Sequence, residues 1–320
     1  MAKIVIVGAS CAGHAVATRL REMRQDCQVI LVTEEKYPVY DRRRLLDFAA
    51  GSIKEKDLFL CANDFYQQRN IDFFKDSKVS SINTNKKTIH FKNRESLEYD
   101  FLVICSGRNF LLPEIPGVKK NGVFRLYSLS DSKNFHQYGS GDSVCIVGSG
   151  LSAERFALEL AAKQKKEVKL ISVELLHEAR VTEPALAATA HNPDLLVSQE
   201  ASGQPEASAH VERIQSRVIE IIGESSVQAV KLSEGKIICA SSVVFMDELK
   251  SNIDFLKNAD IAIKDDFIEV DAGMRTCLQN VFACGTVCMR QDAARGVKTW
   301  EEVIAESKRV VESLIQALGN

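Results

Sequence analysis

A glycine turn near the amino terminus carries the first residues whose type and spacing predict chemistry. Gly8, Ser10 and Gly13 follow the apolar run Ile4–Val7 in the spacing G-x-G-x-x-G, with serine at the middle position. The apolar run is typical of a buried strand in a parallel sheet, and a helical pattern follows the turn. The main-chain N–H groups at such a helix start bind the pyrophosphate of a dinucleotide. The residues predicted to form this phosphate-binding turn are Gly8, Ser10, Cys11, Ala12 and Gly13.

Two carboxylates follow the next apolar run. Glu34 and Glu35 come directly after Val29–Thr33, and Glu34 lies 21 residues beyond Gly13. A carboxylate at this distance accepts hydrogen bonds from the hydroxyl groups of an adenosine ribose. Strand, glycine turn, helix, strand and acid therefore occur in the order of a dinucleotide-binding unit.

A second strand and glycine turn lie 140 residues further along the chain. The run Ser143–Val147 precedes Gly148, and a helical pattern follows Gly150. The next strand, Glu167–Ser172, ends in a serine where a ribose-binding acid is expected, and Glu174 follows two residues later. Two such units predict two dinucleotide-binding folds in one chain. The candidate residues of the second turn are Gly148, Gly150, Leu151 and Ser152.

Other chemistry-bearing residues leave alternatives open. Arg42 either donates N–H groups to a phosphate or lies in a solvated basic turn with the arginines beside it. Cys11 either has a lowered pKa, as a thiol at a helix N terminus, or fills a tight turn as a small residue. The six histidines are scattered, and no spacing of histidine and cysteine predicts a metal site.

The bulk composition is that of a globular protein in water. The 320 residues carry a net charge of −2, and 45% of them are hydrophobic. This balance gives no reason to expect a nucleic acid or an anionic membrane as partner. No apolar run approaches the roughly 20 residues of a membrane span, and the chain enters a strand directly, without room for a signal peptide. The nine cysteines are an odd number, none forms a C-x-x-C pair, and several lie inside apolar runs, such as Cys105 and Cys145. We therefore expect buried thiols in a reducing cytoplasm rather than disulfides or a metal cluster.

Further apolar runs predict the elements that position these residues. We expect buried strands at 99–105, 242–246 and 281–284, helical spacing within 57–74 that is followed by a short strand at 71–74, and a last helix near 299–317. Residues 177–210 lack periodicity and predict irregular structure. The predicted fold is α/β, with two Rossmann-like, three-layer dinucleotide-binding domains, the second inserted in the first. The first domain comprises 1–125 and 265–320, and the second comprises 126–264.

Together these motifs resemble the two-dinucleotide-domain flavoproteins of the pyridine nucleotide–disulphide oxidoreductase superfamily. The sequence is most similar to the branch that holds rubredoxin and ferredoxin reductases, apoptosis-inducing factor and the flavin portion of nitrite reductase. Val5–Gly13 resembles the flavin adenine dinucleotide (FAD) fingerprint, and Tyr37–Leu45 resembles the P-x-Y-x-R-x-x-L segment. Tyr99–Pro116 resembles the third strand with its proline turn, and Phe282–Thr286 the Y-A-x-G-D element. The resemblance implies FAD contacts at Gly8, Ser10, Cys11, Ala12, Gly13, Glu34, Glu35, Arg42, Val79, Ser106, Gly107, Gly285 and Thr286.

The departures from the family pattern gather at the second nucleotide site. Arg155 stands where the family has a glutamate near the nicotinamide, and Ser172 where an acid selects unphosphorylated NADH. Glu248 stands where the family has a glycine, and a carboxylate there repels the nicotinamide phosphates. Thr286 replaces the flavin-site aspartate but keeps a hydroxyl group. No cysteine pair occupies the redox-disulfide positions, and the chain ends where this branch begins a C-terminal interface domain, so no such domain is expected.

Three functions are consistent with these residues. The expected one is an FAD-dependent oxidoreductase that passes electrons between NAD(P)H and a small redox protein or partner subunit. The second is a flavoprotein with a lost nicotinamide site that serves as an electron-transfer or structural subunit of a larger complex. The third is a regulatory or interaction protein that uses FAD or a nucleotide as a ligand. Arg155, Ser172 and Glu248 favour the second function, whereas the retained Gly148–Gly150 turn favours the first, which we adopt.

Overall fold

The chain forms two compact units in the computed structural model, which describes residues 1–139, 141–164, 166–173, 210–291 and 298–319. Unit 1 comprises Met1–Asp41, Phe59–Asn109 and Lys250–Asn320, and unit 2 comprises Arg42–Leu58 and Phe110–Leu249. Unit 2 thus takes in residues 42–58 and 110–125, which were predicted to lie in the first domain. Unit 1 takes in residues 250–264, which were predicted to lie in the second domain. Nearly all of the segment predicted to be irregular, and Glu174 as well, lies outside the described residues.

Strands and helices alternate in parts of the described chain, whereas residues 71–125 and 211–290 form strands without an α-helix between them. The helices are α1 (Cys11–Met23), α2 (Leu45–Ala49), α3 (Phe65–Gln68), α4 (Leu129–Tyr138), α5 (Leu151–Gln164) and α6 (Trp300–Leu318), with 3₁₀ turns at Arg42–Arg44, Glu55–Leu58 and Asp254–Leu256. The strands are β1 (Ala2–Val7), β2 (Cys27–Val32), β3 (Ile71–Phe74), β4 (Val79–Asn83), β5 (Thr88–Phe91), β6 (Ser96–Glu98), β7 (Phe101–Ile104), β8 (Arg108–Phe110), β9 (Val123–Arg125), β10 (Ser143–Val147), β11 (Glu167–Ser172), β12 (Val211–Gln215), β13 (Val218–Ile222), β14 (Ala229–Leu232), β15 (Ile237–Cys239), β16 (Ser242–Phe245), β17 (Leu249–Ser251), β18 (Ile263–Lys264), β19 (Phe267–Val270), β20 (Val281–Ala283) and β21 (Cys288–Arg290).

Unit 1 is built on a parallel sheet with the strand order β20-β7-β1-β2-β3. Ile4, Val5 and Ile6 are fully buried on the central strand β1, as expected for an apolar, β-branched run in a sheet that is covered on both faces. Helices α1 and α6 pack against each other beside this sheet. Ligands of such sheets bind beyond the carboxyl ends of the strands, which is where the Gly8 turn follows β1.

Unit 2 repeats this plan with the parallel order β12-β11-β10-β16-β9. Helix α5 packs on it through Phe156, Ala157 and Leu160, which are fully buried. The second glycine turn follows the central strand β10, and the antiparallel sheet β13-β14-β15 lies in the same unit. The two parallel sheets with their helices confirm the predicted α/β fold with two Rossmann-like units.

The last helix was predicted well from the sequence, whereas the helix expected within 57–74 was not. The last helix begins one residue later than expected, after a capping box in which Thr299 and Glu302 bond to each other's main-chain N–H groups. The helical prediction within 57–74 was largely wrong, because only α3 and one 3₁₀ turn form there, whereas the short strand predicted at 71–74 forms as β3. The main chain at Phe59 and Leu60 instead pairs with extended residues Val39 and Tyr40. Long-range pairing thus overrides the local helical spacing.

Candidate functional site

The Gly8 turn packs so closely on its neighbours that only glycine fits at two positions. Gly8 has a φ of +105°, and a Cβ on it would lie 2.2 Å from the carbonyl oxygen of Cys105. A Cβ on Gly13 would lie 1.9 Å from the carbonyl oxygen of Gly8. Both residues therefore need to be glycine for the chain to pass from β1 into α1 at this distance.

The first turn of α1 exposes its main-chain N–H groups to whatever lies above the glycine turn. Ser10 is the N-cap residue, and its side chain makes no capping hydrogen bond. The first turn also contains no acidic residue. An uncapped and uncompensated helix N terminus favours a bound anion. Within this turn Ala12 is buried and Cys11 is half-buried.

The two predicted ribose-binding carboxylates lie beyond β2 and already have partners. Lys78 Nζ donates to Glu34 Oε2 at 2.6 Å, and both side chains are more than half exposed. The Tyr40 hydroxyl donates to Glu35 Oε2 at 2.6 Å. Val79, which follows Lys78 at the start of β4, is buried. Because an exposed ion pair contributes little stability, the Glu34 carboxylate can accept ribose hydroxyl groups at small cost.

Ser106 and Gly107 follow β7 next to the glycine turn. A Cβ on Gly8 would lie 3.0 Å from the Ser106 nitrogen, which places the two segments in contact. The Ser106 hydroxyl oxygen is buried and has no hydrogen-bond partner among the described residues. Asn252 holds this segment, since its side-chain amide donates to the Ser106 carbonyl oxygen and its main-chain N–H to that of Gly107, both at 2.9 Å. An unsatisfied buried hydroxyl is a costly state that a polar ligand atom relieves.

The loop after β20 carries Gly285 and Thr286 to the same end of the sheet. Gly285 has a φ of +85°, and a Cβ on it would lie 3.0 Å from the Ala12 Cβ. Its main-chain N–H donates to Glu306 Oε2 at 3.1 Å, and its carbonyl oxygen accepts from Lys298 Nζ at 2.9 Å. Lys298 and Glu306 form a largely buried ion pair at 2.6 Å. The pair therefore fixes the loop on α6 and against the first turn of α1.

Three thiols near this turn are buried. A hydrogen bond with Cys284 and burial raise the pKa of Cys105 well above its usual value, and burial raises the pKa of Cys288. These two thiols stay protonated at neutral pH and are poor nucleophiles. The lowered pKa of Cys11 stays a prediction. Within the described ranges no cluster of three or more His, Cys, Asp or Glu side chains is arranged to hold a metal ion.

Arg42 belongs to unit 2 rather than to the unit that carries the first glycine turn. Its Nη1 donates to the Tyr127 carbonyl oxygen at 2.7 Å, and its guanidinium carbon lies 4.8 Å from the centre of the Tyr127 ring. The guanidinium is thus held within unit 2. Its predicted contact with a flavin stays a prediction.

The second glycine turn is less constrained than the first. A Cβ on Gly148 would lie 3.0 Å from both the Ala153 Cβ and the Met246 carbonyl oxygen, whereas a Cβ on Gly150 would meet no atom within 4 Å. Leu151 and Ser152 open α5 and are exposed. The turn therefore leads into a helix N terminus, and its middle glycine leaves open space above the main chain.

Arg155 has a charged partner that was not predicted from the sequence. It forms an ion pair with Asp47 of α2, and both side chains are mostly buried. Burial raises the pKa of Asp47 to about 6, although the Arg155 charge acts in the opposite direction. The pair joins residues 108 positions apart. No local sequence pattern could have identified it.

A second missed pair lies in the cleft beside the second turn. Glu154 on α5 is 96% buried, with a side-chain exposure of 4%, and it pairs with Arg213 of β12. Gly148, Ser149, Gly150, Leu170 and Ser172 line the same cleft. One signal was available, because Glu154 falls on the buried face of α5 in line with Ala157 and Ala161. A carboxylate at such a position requires a cation from elsewhere in the fold.

Two acidic residues, Asp247 and Glu248, follow β16. The Ser149 hydroxyl donates to Asp247 Oδ1 at 3.0 Å, which places one acid directly against the glycine turn. Glu248 is exposed, and its carbonyl oxygen accepts from the Leu111 N–H at 2.8 Å. Negative charge beside the turn opposes the binding of phosphate groups.

The described residues of the first turn fit a dinucleotide such as FAD. The glycines at 8 and 13 let the chain pass from β1 into α1 at a distance that side chains would prevent, and the uncapped helix start supplies N–H donors for a pyrophosphate. Ser106 supplies an unsatisfied hydroxyl, and Glu34 an acceptor for ribose. In the same ranges, none of the helices combines the length and the apolar character that crossing a bilayer requires.

Comparison with known proteins gives consistent matches. The family model described as pyridine nucleotide-disulphide oxidoreductase matches residues 2–307. An NADH oxidase of Methanocaldococcus jannaschii is 25% identical over 308 residues, which cover 93% of this chain and 65% of that protein. An NADH-rubredoxin oxidoreductase of Clostridium acetobutylicum is 26% identical, over 89% of this chain and 68% of its own length. The chain thus spans about two thirds of these relatives.

The structures of known proteins show the same fold. A ferredoxin reductase for the CYP199A2 system from Rhodopseudomonas palustris superposes with a TM-score of 0.82 and 21% sequence identity. The superposition covers 98% of this chain and 76% of that one. Proteins of the matched family bind FAD and use NAD(P)H.

Proposed function

Because the chain belongs to the pyridine nucleotide-disulphide oxidoreductase family, we propose that it is an FAD-dependent oxidoreductase. It passes electrons between NAD(P)H and a small redox protein or partner subunit. The observation that carries the proposal is the contact of Gly13 with Gly8 at the uncapped start of α1, a geometry suited to a pyrophosphate. A cytoplasmic location is part of the proposal, in keeping with nine cysteines that are all free thiols.

The names of similar proteins support this electron-transfer chemistry. One relative is an NADH-rubredoxin oxidoreductase, and another is the ferredoxin–NAD(+) reductase component of a 3-phenylpropionate/cinnamic acid dioxygenase from Photorhabdus laumondii. One similar structure is a covalent complex of putidaredoxin reductase with putidaredoxin. In each case the acceptor or donor is a small redox protein or NAD. We propose a partner of the same class for this chain.

Each part of the first site has a role in holding the cofactor. The N–H groups of Cys11, Ala12 and Gly13 bind the pyrophosphate, and the Glu34 carboxylate binds the adenosine ribose. The loop at Gly285 and Thr286 presents the Thr286 hydroxyl to the other end of the cofactor, while the Gly285 N–H stays bonded to Glu306. When bound, the flavin accepts a hydride and releases electrons singly or in pairs, while the protein supplies orientation.

The proposal is tested by spectroscopy of the purified protein. We expect a yellow protein with a flavin absorption band, which bleaches within seconds of anaerobic addition of NADH or NADPH. As a second readout, oxidised rubredoxin or ferredoxin is added and its reduction is measured. Protein that cannot be loaded with FAD would overturn the proposal.

A second function is favoured by the charges around the second turn. Asp247 lies against Ser149, and Arg155, which stands where the resembling family has a glutamate, is paired with Asp47. These observations suit a flavoprotein that has lost its nicotinamide site and exchanges electrons within a larger complex. A yellow protein that dithionite reduces, but that neither NADH nor NADPH reduces, would establish this alternative and exclude the first.

A further inference from the structure

Asn252 fastens the main chain that follows β7 in unit 1. Its side-chain amide donates to the Ser106 carbonyl oxygen and its main-chain N–H donates to the Gly107 carbonyl oxygen, both at 2.9 Å. Asn252 and Ser106 are 146 positions apart in the sequence. One residue therefore holds two consecutive carbonyl groups of a distant segment, and Gly107 between them has a φ of +67°, which glycine adopts without strain.

The same segment is also tied through Asp266. The Oδ2 atom of Asp266 accepts from the main-chain N–H of Ser251 at 2.6 Å and lies 3.4 Å from Arg108 Nη2. Residues 106–108 are thus connected to residues 251–252 both directly and through a shared carboxylate. Ties of this kind preorganise a segment, which lowers the entropy cost of binding a ligand to it.

The group that this segment offers to a ligand is the hydroxyl of Ser106. Its oxygen is buried and has no hydrogen-bond partner among the described residues. The main-chain nitrogen of Ser106 would lie 3.0 Å from a Cβ on Gly8, so the residue contacts the first glycine turn. The helix N terminus at that turn favours a phosphate group. A hydroxyl beside it can donate to a phosphate oxygen, and this charge-assisted bond offsets the cost of burying the hydroxyl.

We propose that Asn252 is a positioning residue of the FAD site, which holds Ser106 so that the Ser106 hydroxyl donates to the diphosphate of the cofactor. Asn252 acts through Ser106 and not by contact with the cofactor. This inference rests on the proposed function, since it assumes that unit 1 binds FAD.

The first test is a fluorescence titration of the flavin-free protein with FAD. Asn252→Ala should weaken FAD binding about tenfold or more, because the Ser106 carbonyl group loses its donor and the segment becomes less ordered. Asn280→Ala is the matched control. The Asn280 amide also donates to a main-chain carbonyl oxygen, that of Asp100 at 3.2 Å, but at the start of β7 rather than after its end. This variant should keep the FAD affinity within about twofold.

A double-mutant cycle shows whether Asn252 acts through the Ser106 hydroxyl. Ser106→Ala alone should weaken FAD binding about tenfold, since the diphosphate loses a donor. Adding Asn252→Ala to Ser106→Ala should weaken binding by less than about a further twofold, because the group that Asn252 positions is already gone. Losses that simply multiply would overturn the inference, since Asn252 would then support the site independently of Ser106.

Asn252→Asp has nearly the same shape as the wild type and serves as the second variant if Asn252→Ala does not fold. Its carboxylate cannot donate to the Ser106 carbonyl oxygen, so FAD binding should be weak at pH 8. Binding should recover as the pH falls towards 5, since a protonated carboxyl group donates again. Asp266 and Arg108, the charged groups bonded to the neighbouring residues, are present in both variants, and Asn252→Ala should stay weak at both pH values.

Two outcomes separate this inference from the proposed function. Wild-type FAD affinity in Asn252→Ala, or in Asn252→Asp at pH 8, would overturn the inference and leave the proposed function standing. Wild-type protein that cannot be loaded with FAD would overturn both.

Discussion

At the scale of single residues, the two glycine turns place different demands on the side chain. In the first turn a Cβ on Gly13 would lie 1.9 Å from a carbonyl oxygen, whereas in the second turn a Cβ on Gly150 would meet nothing within 4 Å. Gly13 is the third glycine of its motif, where α1 packs against the turn, whereas Gly150 is the middle glycine of the second motif. The difference in packing therefore follows from the different places of the two glycines in their turns.

We therefore expect Gly13→Ala to abolish flavin binding. The added methyl group forces α1 away from β1, which displaces the N–H donors from the pyrophosphate position and costs several kcal/mol through overpacking, on the order of 1–3 or more. Flavin retained after gel filtration, read from the visible spectrum, measures the loss. The matched control is Gly150→Ala, which should keep the flavin and change the unfolding free energy by less than about 1 kcal/mol. Full flavin occupancy in Gly13→Ala would contradict the expectation.

Asp47 is a buried carboxyl group of unit 2 whose shifted pKa makes the stability of the protein depend on pH. Burial raises its pKa to about 6 from the usual value of 3.8, and Glu159 acts in the same direction while Arg155 and Arg44 oppose it. Between these two pH values the folded state holds a proton that the unfolded chain has released. Stability contributed by this group is therefore present at low pH and declines as the pH rises through about 6.

Because the stability contributed by Asp47 declines with rising pH, the free energy of unfolding should depend on pH differently in the wild-type protein and in Asp47→Asn. The free energy of unfolding of the wild type, minus that of the variant, should fall by about 2 kcal/mol between pH 4 and pH 7, because only the wild type titrates at this position. Urea unfolding at half-unit pH steps measures it. A difference that stays constant or grows with pH would show that the ion pair with Arg155 outweighs burial.

How much of the site could be predicted depends on whether its residues are close in sequence. Gly8, Gly13 and Glu34 follow strands directly, so the order of elements was enough to find them. Glu154 with Arg213, and Asp47 with Arg155, join residues 59 and 108 positions apart. Each partner is an ordinary charged residue in its own neighbourhood, and only the packing of α5 on its sheet and on α2 brings the pairs together.

At the scale of elements, the strands were predictable because they are buried on both faces. Runs such as Ile4–Val7 and Ser143–Val147 contain enough β-branched residues for the sheet assignment without any knowledge of their neighbours. The segment from Glu55 to Gln68 was not predictable in the same way. Its apolar residues have helical spacing, yet the pairing of Phe59 and Leu60 with extended residues limits the helix to α3.

The loop after β20 is an element whose conformation depends on one buried ion pair. Lys298→Met should lower the free energy of unfolding by about 3–5 kcal/mol, because Glu306 then stays buried with an unpaired charge. It should also weaken FAD binding, since Gly285 loses the donor to its carbonyl oxygen. Urea unfolding and fluorescence titration with FAD measure the two effects.

The double variant Lys298→Met with Glu306→Leu separates the two contributions. Replacing both charges by apolar side chains of similar size should recover most of the stability. FAD binding should stay weak, because the N–H of Gly285 has then also lost its acceptor. A single variant as stable as the wild type would show that water, and not the lysine, satisfies Glu306.

At the scale of the whole molecule, the boundaries of the two units were harder to predict than their folds. Ala49 and Ala50 at the end of α2 are buried in the same core as Phe156, and Leu126 joins them. This long-range apolar packing draws residues 42–58 and 110–125 into unit 2. The sequence places both segments between motifs of the first site, where no break in composition marks a change of unit.

The division into units predicts where each ligand stabilises the chain. FAD should slow amide hydrogen exchange in peptides that contain Gly8–Gly13 and Cys284–Cys288, which belong to unit 1. NADP⁺ added to the FAD-loaded protein should slow exchange in peptides that contain Gly148–Glu154, which belong to unit 2. A ligand that binds the native state at 100 times its dissociation constant adds about 2.7 kcal/mol of stability, enough to slow local opening roughly 100-fold.

Hydrogen exchange is measured by mass spectrometry on three states of the protein. These are the protein stripped of flavin, the protein reloaded with FAD, and the FAD-loaded protein with NADP⁺ added. The peptides around Gly235, whose turn lies in the antiparallel sheet of unit 2, serve as an internal control and should exchange equally in every state. Protection of the second turn by FAD alone, with the first turn unchanged, would mean that the flavin occupies unit 2. The order of the two cofactors along the chain would then be the reverse of the one argued from Gly8 and Gly13.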